Sequence, residues 1–254
     1  MTIRGSFIRA GAGAALFGAL FAATTVNAAD LSNHISLKDG PANAPAADWA
    51  GFYAGAHLGY AWGDTGFSRY NTWYKLDLER GNFSTDGGIG GLQLGYNLQR
   101  DRLVLGVEVD LGGLGLDGSK QLDGWNGDHS FNYFVKYSLA SGFYGDITGR
   151  LGYAADRSLF YVKGGAAFLR TNFEQNFYND VINQSNQMLW GWTVGAGVEH
   201  MLSPNWSVKA EYQHFDFGEA TFKLPYDNLK FAPAADAVTL GVNYHIHRDG
   251  EPLK

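Results

Sequence analysis

Residues 52–62 read FYAGAHLGYAW, and two kinds of side chain alternate along the whole stretch. Successive side chains of an extended strand point to opposite faces, so the residues with even numbers share one face. That face carries Phe52 at one end, Tyr60 and Trp62 at the other, and small or aliphatic residues between them. Because aromatic rings settle at both interfaces of a membrane, this pattern is typical of a strand that faces lipid.

The same alternation recurs in seven further segments, which begin near residues 91, 103, 143, 160, 190, 206 and 238. The connections between the segments alternate in length. Short ones lie at 100–101, 155–157 and 203–205, and long ones at 63–86, 112–140, 170–188 and 214–235. Alternating short and long connections indicate strands that run up and down and pair with their neighbours in sequence.

The predicted fold is therefore all-β: an eight-stranded antiparallel up-and-down transmembrane β-barrel. Each predicted strand is close to the ~9–11 residues that a tilted strand needs to cross the hydrocarbon. A soluble barrel with its apolar face inside has the same period and remains an alternative. The bulk of the apolar face argues against it, because eight strands enclose a narrow interior, and the small, polar, glycine-rich face fits that interior better.

The N-terminus has the order of regions found in a secretory signal peptide. Arg4 and Arg9 come first, a small apolar segment covers 10–23, and Ala28 ends a cleavage motif, so we expect residues 1–28 to be removed. Residues 29–48 are expected to form a flexible linker, 49–247 the barrel and 248–254 a short tail. The formal net charge of -6 falls to about -8 without the two arginines, and so acidic a chain is poorly suited to binding nucleic acid.

Charged residues recur on the inner face of the predicted barrel. Charges in a low dielectric need partners, so we expect these side chains to pair with one another in a network that fills the lumen and fixes the register. A gated ion path or a proton-linked site is the alternative. The predicted network consists of Glu108, Asp110, Asp146, Arg150, Lys163, Glu199, Lys209 and Glu211.

Aromatic residues lie near both ends of the lipid-facing sides of the predicted strands. At the two interfaces they would form girdles around the barrel. The predicted girdle residues are Phe52, Tyr60, Trp62, Tyr153, Phe160, Phe168, Trp190, Trp192, Trp206, Tyr212 and Tyr244.

Evidence for metal binding or catalysis is weak in the sequence. Cysteine is absent, which excludes disulfides and thiolate ligands. His245 and His247 share one strand face, but no third ligand is evident, and we expect an exposed pair without a metal. His129, His214 and Asp216 fall in or near the long connections, yet no nucleophile elbow accompanies them. We therefore expect no catalytic site, no metal and no cofactor.

The chain resembles the small outer-membrane β-barrel proteins of alphaproteobacteria, the OmpA-like and RopB-like superfamily often labelled "porin family". The resemblance rests on short motifs in family order. They are WAGFYAG (49–55), GLQLGYN (91–97), GVEVD (106–110), GRLGYA (149–154), YVKGGA (161–166), GWTVGAGVE (191–199), AEY (210–212), DFG (216–218) and GVNY (241–244). It implies a place in the outer membrane of a Gram-negative cell and delivery there by the barrel-insertion machinery. Such barrels usually end on an aromatic residue, whereas Ile246 holds that position here.

For function, we expect a structural role in envelope integrity together with surface interaction through the long connections, without catalysis. Binding of haem or another small ligand, or a narrow channel, is the alternative. This alternative rests on aromatic residues in the long connections, which haem or host surface molecules could contact. They are Trp73, Tyr74, Trp125, Phe131, Tyr133, Phe134, Phe177, Tyr178 and Tyr226.

Overall fold

The computed structural model describes residues 47–71, 76–125, 132–177, 180–223 and 227–246. The predicted signal peptide, most of the predicted linker and the tail lie outside these residues. Ten strands make up the described chain. They are β1 (Gly51–Asn71), β2 (Leu76–Arg100), β3 (Leu103–Leu114), β4 (Asp117–Trp125), β5 (Asn132–Ala155), β6 (Ser158–Phe177), β7 (Asp180–Met201), β8 (Trp206–Asp216), β9 (Ala220–Lys223) and β10 (Asp227–Ile246).

These strands form one closed antiparallel barrel. The order around it is β1, β10, β8, β7, β6, β5, β3 and β2, and β2 pairs with β1 again. β4 continues β3 along β5, and β9 continues β8 along β10, so each of these two pairs forms a single side of the barrel. The barrel therefore has eight sides, and the predicted eight-stranded up-and-down fold is confirmed.

The first and last strands close the barrel along a continuous seam. β1 and β10 stay in register from the pair Phe52 and Ile246 to the pair Asn71 and Asp227. Both ends of the barrel domain therefore lie on the same side as the short turns, which we call the turn end. The opposite side, where the long connections lie, is the hairpin end.

Two turn residues at the turn end adopt a backbone conformation that few side chains allow. Asp101 has φ of 54° and Asp156 has φ of 51°. Aspartate and asparagine tolerate this left-handed region because their short polar side chains hydrogen-bond locally. Both residues sit where consecutive strands reverse direction, at the β2–β3 and β5–β6 turns.

The long connections are mostly strands rather than loops, which corrects the prediction. In the first connection, predicted at 63–86, β1 continues past Trp62 to Asn71, and β2 begins already at Leu76. The last one is divided between β9 and an early start of β10 at Asp227. The hairpins thus carry the sheet well past the apolar part of the barrel wall.

The face to which a side chain points follows the alternation along each strand. In β8, Ser207, Lys209 and Glu211 point inward and are buried, while Trp206 and Val208 point outward and are exposed. Leu58 and Leu240 are 71% and 63% exposed on the outer surface. An apolar outer wall of this kind requires an apolar solvent, which excludes the soluble barrel. Among the described residues, no helix is long and apolar enough to cross a membrane.

Candidate functional site: the charged barrel interior

All eight predicted network residues point into the barrel, and none is more than 5% exposed. They come from five neighbouring sides. β3 supplies Glu108 and Asp110, β5 supplies Asp146 and Arg150, β6 supplies Lys163, β7 supplies Glu199, and β8 supplies Lys209 and Glu211. Their spacing of two or four residues within a strand keeps them on one face. The structure therefore brings the whole predicted set into one interior layer.

Lys163 is the centre of the first cluster. Its Nζ lies 2.9 Å from Glu108 Oε1, 3.1 Å from Asp110 Oδ2 and 2.9 Å from Glu211 Oε1. Lys209 Nζ lies further away, at 3.5 Å from Glu108 and 3.7 Å from Glu211. The ammonium group of Lys163 has three donors, and three carboxylates surround it, so its hydrogen-bonding capacity is filled.

Arg150 is the centre of the second cluster. Its guanidinium donates to Glu199 Oε2 at 3.2 Å and to Asn97 Oδ1 at 3.0 Å, and lies 3.8 Å from Glu108 Oε2. It also lies between two aromatic rings, 4.7 Å from the centroid of Tyr53 and 4.9 Å from that of Tyr161. A planar cation suits such a position, because it stacks on rings while donating in its own plane.

The two tyrosines connect the clusters. The Tyr53 hydroxyl donates to Glu108 Oε2 and the Tyr161 hydroxyl to Glu211 Oε2, each at 2.7 Å. Glycines make room for the rings: a Cβ on Gly197 would lie 2.6 Å from the Tyr161 hydroxyl oxygen. The alternation along β1 and β6 puts Tyr53 and Tyr161 on the inner face, but neither belongs to the predicted network.

A chain of polar side chains outside the predicted set extends the network to β1, β2 and β10. His57 Nε2 lies 2.6 Å from the Tyr144 hydroxyl, and His57 Nδ1 lies 2.7 Å from Gln93 Oε1. Gln93 donates to Asn243 Oδ1, which is on the other side of the β1 seam strand, at 2.7 Å. Asn243 in turn donates to Glu199 Oε1 at 2.7 Å. Period-2 alternation puts these residues on the inner face of their strands, and that position was the signal by which the sequence could have revealed them.

His245 corrects the expectation of an exposed histidine pair. Its side chain is buried, and Nε2 lies 2.9 Å from Ser207 Oγ and 3.2 Å from Glu199 Oε1. A serine, a histidine and a carboxylate therefore meet, but both partners approach the same ring nitrogen, whereas a catalytic triad uses the two nitrogens separately. His247 lies outside the described residues.

Carboxylates outnumber lysine and arginine side chains in the interior layer. The described buried set contains five carboxylates and three lysine or arginine cations. Asp146 is the carboxyl group without a close lysine or arginine in the described network: Gln213 donates to its Oδ2 at 3.1 Å, while its Oδ1 has no hydrogen-bond partner among the described groups. The neighbouring Thr148 hydroxyl is likewise buried without a partner there.

Apolar layers close the interior on both sides of the charges. At the turn end, Trp49, Val104, Leu159 and Met201 pack together, each at most 3% exposed. At the hairpin end, a larger cluster includes Leu114, Leu169, Tyr144, Phe215 and Phe217, and the last two rings stack at 5.6 Å. The expectation of a small, polar, glycine-rich lumen was wrong for these two layers.

The interior therefore has three layers, with ion pairs between two apolar plugs. Such an arrangement can cross-link the barrel wall and hold its register, because each charge joins different strands. Within the part of the chain that the structure describes, no three His, Asp or Glu residues are arranged to hold a metal ion. Hydrated ions and solutes would have to displace packed rings such as Trp49 and Phe215 to cross.

On the outer surface, nine of the eleven predicted girdle residues are exposed, and Phe168 and Tyr212 are half-buried. Phe168 is covered by Phe143 and Trp190, with ring centroids at 5.7 and 5.4 Å. Near the turn end the register pairs Tyr153 with Phe160 and Trp206 with Tyr244. The remaining predicted girdle residues other than Phe52 lie toward the hairpin end: Tyr60, Trp62, Phe168, Trp190, Trp192 and Tyr212.

The two described residues considered for hydrolysis, His214 and Asp216, each contact other groups and are not brought together with a nucleophile. His214 lies on the outer face of β8, where Nδ1 is 2.8 Å from Asp236 Oδ1 and the ring packs on Trp192 at 5.5 Å. Asp236 also accepts from the Tyr212 hydroxyl at 2.6 Å. Asp216 Oδ1 accepts from the backbone N–H of Gly218 at 2.9 Å and so shapes the turn after β8. His129 lies outside the described residues.

Comparison with known proteins agrees with this barrel. A family profile described as "Outer membrane protein beta-barrel domain" matches residues 13–245. The chain belongs to this family. It is 33% identical to the 31 kDa outer-membrane immunogenic protein of Brucella melitensis, over 91% of this chain and 97% of the relative. It is 29% identical to a 22 kDa outer membrane protein of Rhizobium leguminosarum, over 78% of each.

Among solved structures, the outer membrane protein OprG from Pseudomonas aeruginosa is similar, with 13% identity and a TM-score of 0.48. The similarity covers 78% of this chain and 97% of OprG. Membership of the family places the protein in the outer membrane of a Gram-negative cell, as the sequence predicted. In such barrels the short turns face the periplasm, so the turn end is the periplasmic end and the hairpin end is the outer one.

Proposed function

We propose that this outer-membrane barrel is a structural protein of the envelope that presents its long hairpins for surface interaction and carries out no catalysis. One observation carries the proposal: the lumen is filled by ion pairs between two apolar layers. A channel needs a continuous polar path, and a lumen binder needs free volume. Neither fits an interior in which Trp49, Glu108, Lys163 and Phe215 are all almost completely buried.

The hairpins support the second half of the proposal. β1, β2, β5, β6 and β7 each run for 20 residues or more, about twice the ~9–11 residues that cross the hydrocarbon. The extra length is paired sheet and projects from the outer end of the barrel. Several relatives are named immunogenic outer-membrane proteins, and projecting hairpins are the parts of such a protein that molecules outside the cell can contact.

The remaining parts of the proposal concern export and partners. Residues 1–28 would be removed as a signal peptide, and the barrel-insertion machinery would then receive the chain. The partners would be outer-membrane lipid on the wall and host surface molecules at the hairpins. The described residues do not favour haem binding or a narrow channel. The aromatic side chains on which the haem alternative rests lie outside the part of the protein that the structure describes.

A strain that lacks the protein tests the structural role. Loss should increase sensitivity to detergents and large antibiotics, and the wild-type chain should restore resistance. A variant whose residues 118–139 are replaced by a short glycine turn should restore it as well, because Asp117 and Ala140 still pair at the base of that hairpin. Shortening of the β6–β7 hairpin beyond the pair Asn172 and Asn186 is the matched variant.

Reconstituted protein tests the sealed lumen. Planar bilayers with wild-type protein should show no resolved single-channel currents, and Glu108→Gln should lower the unfolding temperature without opening a path. Well-resolved currents that change with Glu108→Gln would contradict the proposal. So would saturable haem binding that disappears when one hairpin is shortened, since that result would establish a binder.

A further inference from the structure

The outer wall of the barrel has a groove on its lipid-facing side, across β3, β5, β6 and β7. One part, of about 520 Å³, lies between Leu103, Tyr153, Phe160 and Ala196. A second part, of about 340 Å³, lies around Leu105, Gly149 and Gly164. Leu151 and Val162 line both parts, so the groove is continuous from the periplasmic girdle towards the middle of the membrane.

Two glycines form the floor of the groove, because they have no side chain to fill it. Gly149 and Gly164 are directly paired across β5 and β6 and face outward. A Cβ on Gly149 would meet no atom within 4 Å, and one on Gly164 would meet only a carbonyl oxygen at 3.4 Å. Packing inside the barrel therefore does not require glycine at either position. The gap lies between larger neighbours in the next rows, such as Leu151 and Val162.

Arginine and tyrosine side chains meet at the periplasmic mouth of the groove, beside the turn that carries Asp156. Arg102 is exposed in the β2–β3 turn and donates to the Tyr153 hydroxyl at 3.0 Å, which leaves most of its five N–H donors available. The pKa of Arg102 is raised by this hydrogen bond and, to a smaller extent, by the nearby Asp156 carboxylate. The mouth therefore presents a guanidinium and a phenol, with a carboxylate close by.

We propose that this groove binds one phosphatidylethanolamine-type phospholipid of the periplasmic leaflet. The phosphate contacts Arg102, and one acyl chain lies in the groove over Gly149 and Gly164. Guanidinium groups bind phosphate through two parallel hydrogen bonds. The β5–β6 turn with Asp156 lies beside Arg102, because the Ala154 N–H donates to the Arg102 carbonyl at 2.7 Å. In this proposal Asp156 supplies the carboxylate that accepts from the primary ammonium of the headgroup. From Tyr153 to Gly149 the strand covers about 13 Å at ~3.3 Å per residue, which is a substantial part of an acyl chain.

The experiment is native mass spectrometry of the full mature chain, purified in detergent and incubated with palmitoyl-oleoyl phosphatidylethanolamine. We expect one retained lipid per barrel, and about five- to tenfold weaker retention for Arg102→Gln, which corresponds to the loss of one charged hydrogen-bonding contact. Gly149→Leu with Gly164→Leu should weaken retention to a similar degree by filling the floor. Gly149→Ala with Gly164→Ala is the milder version if the leucine variant does not fold, as heat-dependent gel migration will show.

Matched controls are available elsewhere on the wall and rim. Gly113 also faces outward, and a Cβ there would meet nothing within 4 Å, so Gly113→Leu should leave retention unchanged. Arg100→Gln removes an exposed arginine from the other end of the same turn and should also have no effect. Asp156→Asn should remove the preference for phosphatidylethanolamine over phosphatidylcholine and phosphatidylglycerol, and asparagine tolerates the left-handed backbone there.

Several results would overturn the proposal. Equal retention by the wild type and the filled-groove variant would show that the groove is not the binding site. Unchanged binding in Arg102→Gln would show that the headgroup is not held there. A dimer that disappears in the leucine variant, with no lipid retained by the wild type, would show that a second copy of the chain covers the groove.

Discussion

Replacement of Arg150 by methionine is the most direct test of the ion network. Methionine keeps the unbranched stem and much of the volume but removes the charge and all five donors. Glu199 Oε2 and Asn97 Oδ1 lose the donors that now lie at 3.2 and 3.0 Å, and Glu108 loses a cation at 3.8 Å. Tyr53 and Tyr161 lose the cation between their rings.

The expected loss follows from what the partners retain. Removal of one member of a buried ion pair usually costs about 3–5 kcal/mol, because the other charge stays buried. Glu199 keeps Ser207 and Asn243 as donors to its Oε1, and Glu108 keeps Lys163 at 2.9 Å. These contacts favour the lower end of the range, so we expect Arg150→Met to reduce the free energy of unfolding by about 3 kcal/mol.

The measurement is equilibrium urea unfolding of protein refolded in phospholipid vesicles, followed by tryptophan fluorescence and by heat-dependent gel migration. Glu199→Gln in addition to Arg150→Met should recover part of the loss, because it removes the charge that the first change left unpaired. Arg100→Met, at an exposed turn, is the control and should change stability by less than about 0.5 kcal/mol. A loss below about 1 kcal/mol for Arg150→Met would refute the reasoning, since water or other side chains would then replace the guanidinium at little cost.

Three further changes test the other layers of the barrel. Gly197→Ala should destabilise the barrel by about 1–3 kcal/mol, because its Cβ has no room beside the Tyr161 hydroxyl; urea unfolding measures this. Trp49→Ala should cost about 3 kcal/mol by emptying the periplasmic plug, visible as a lower unfolding temperature. Leu240→Arg, on the lipid-facing wall, should cost about 2–4 kcal/mol in vesicles and Leu202→Arg, at the periplasmic turn, at most about 1 kcal/mol. Equal losses for the two arginine variants would contradict the assigned depth of these residues in the membrane.

The strand faces in the membrane could be predicted from the sequence because lipid imposes a strict contrast there. Outside the hydrocarbon the contrast changes. In β8, Phe215 points inward while His214 and Asp216 point outward, the arrangement of a soluble barrel. The alternation continues, but the outward face becomes polar and the inward face apolar, so the sequence pattern predicted a long connection at 214–235. Residues 64–71 of β1 carry few apolar side chains, and their continuation as strand gave no hydrophobic signal.

The composition of the interior network could be predicted, but its connections could not. Period-2 alternation places Glu108, Arg150 and Glu199 in one lumen. It does not say which of five acids contacts which of three cations, because that depends on the relative height of strands around the barrel. The position of Trp49 followed from no pattern either, since it precedes β1 and enters the barrel end from outside the strand. His245 seemed to be at an exposed strand end because β10 was not expected to be covered there.

The seam between β1 and β10 determines when the interior charges can find their partners during folding. It pairs Phe52 with Ile246, residues at opposite ends of the barrel sequence, and contacts of such separation form slowly. The hydrogen bond from Gln93 to Asn243 crosses it. Until the seam closes, carboxylates such as Glu199 lack their β10 partners, and burial of the layer in the membrane is costly. We therefore expect closure of the barrel and its insertion into the bilayer to be coupled, so that a chain stalled before closure remains at the membrane surface.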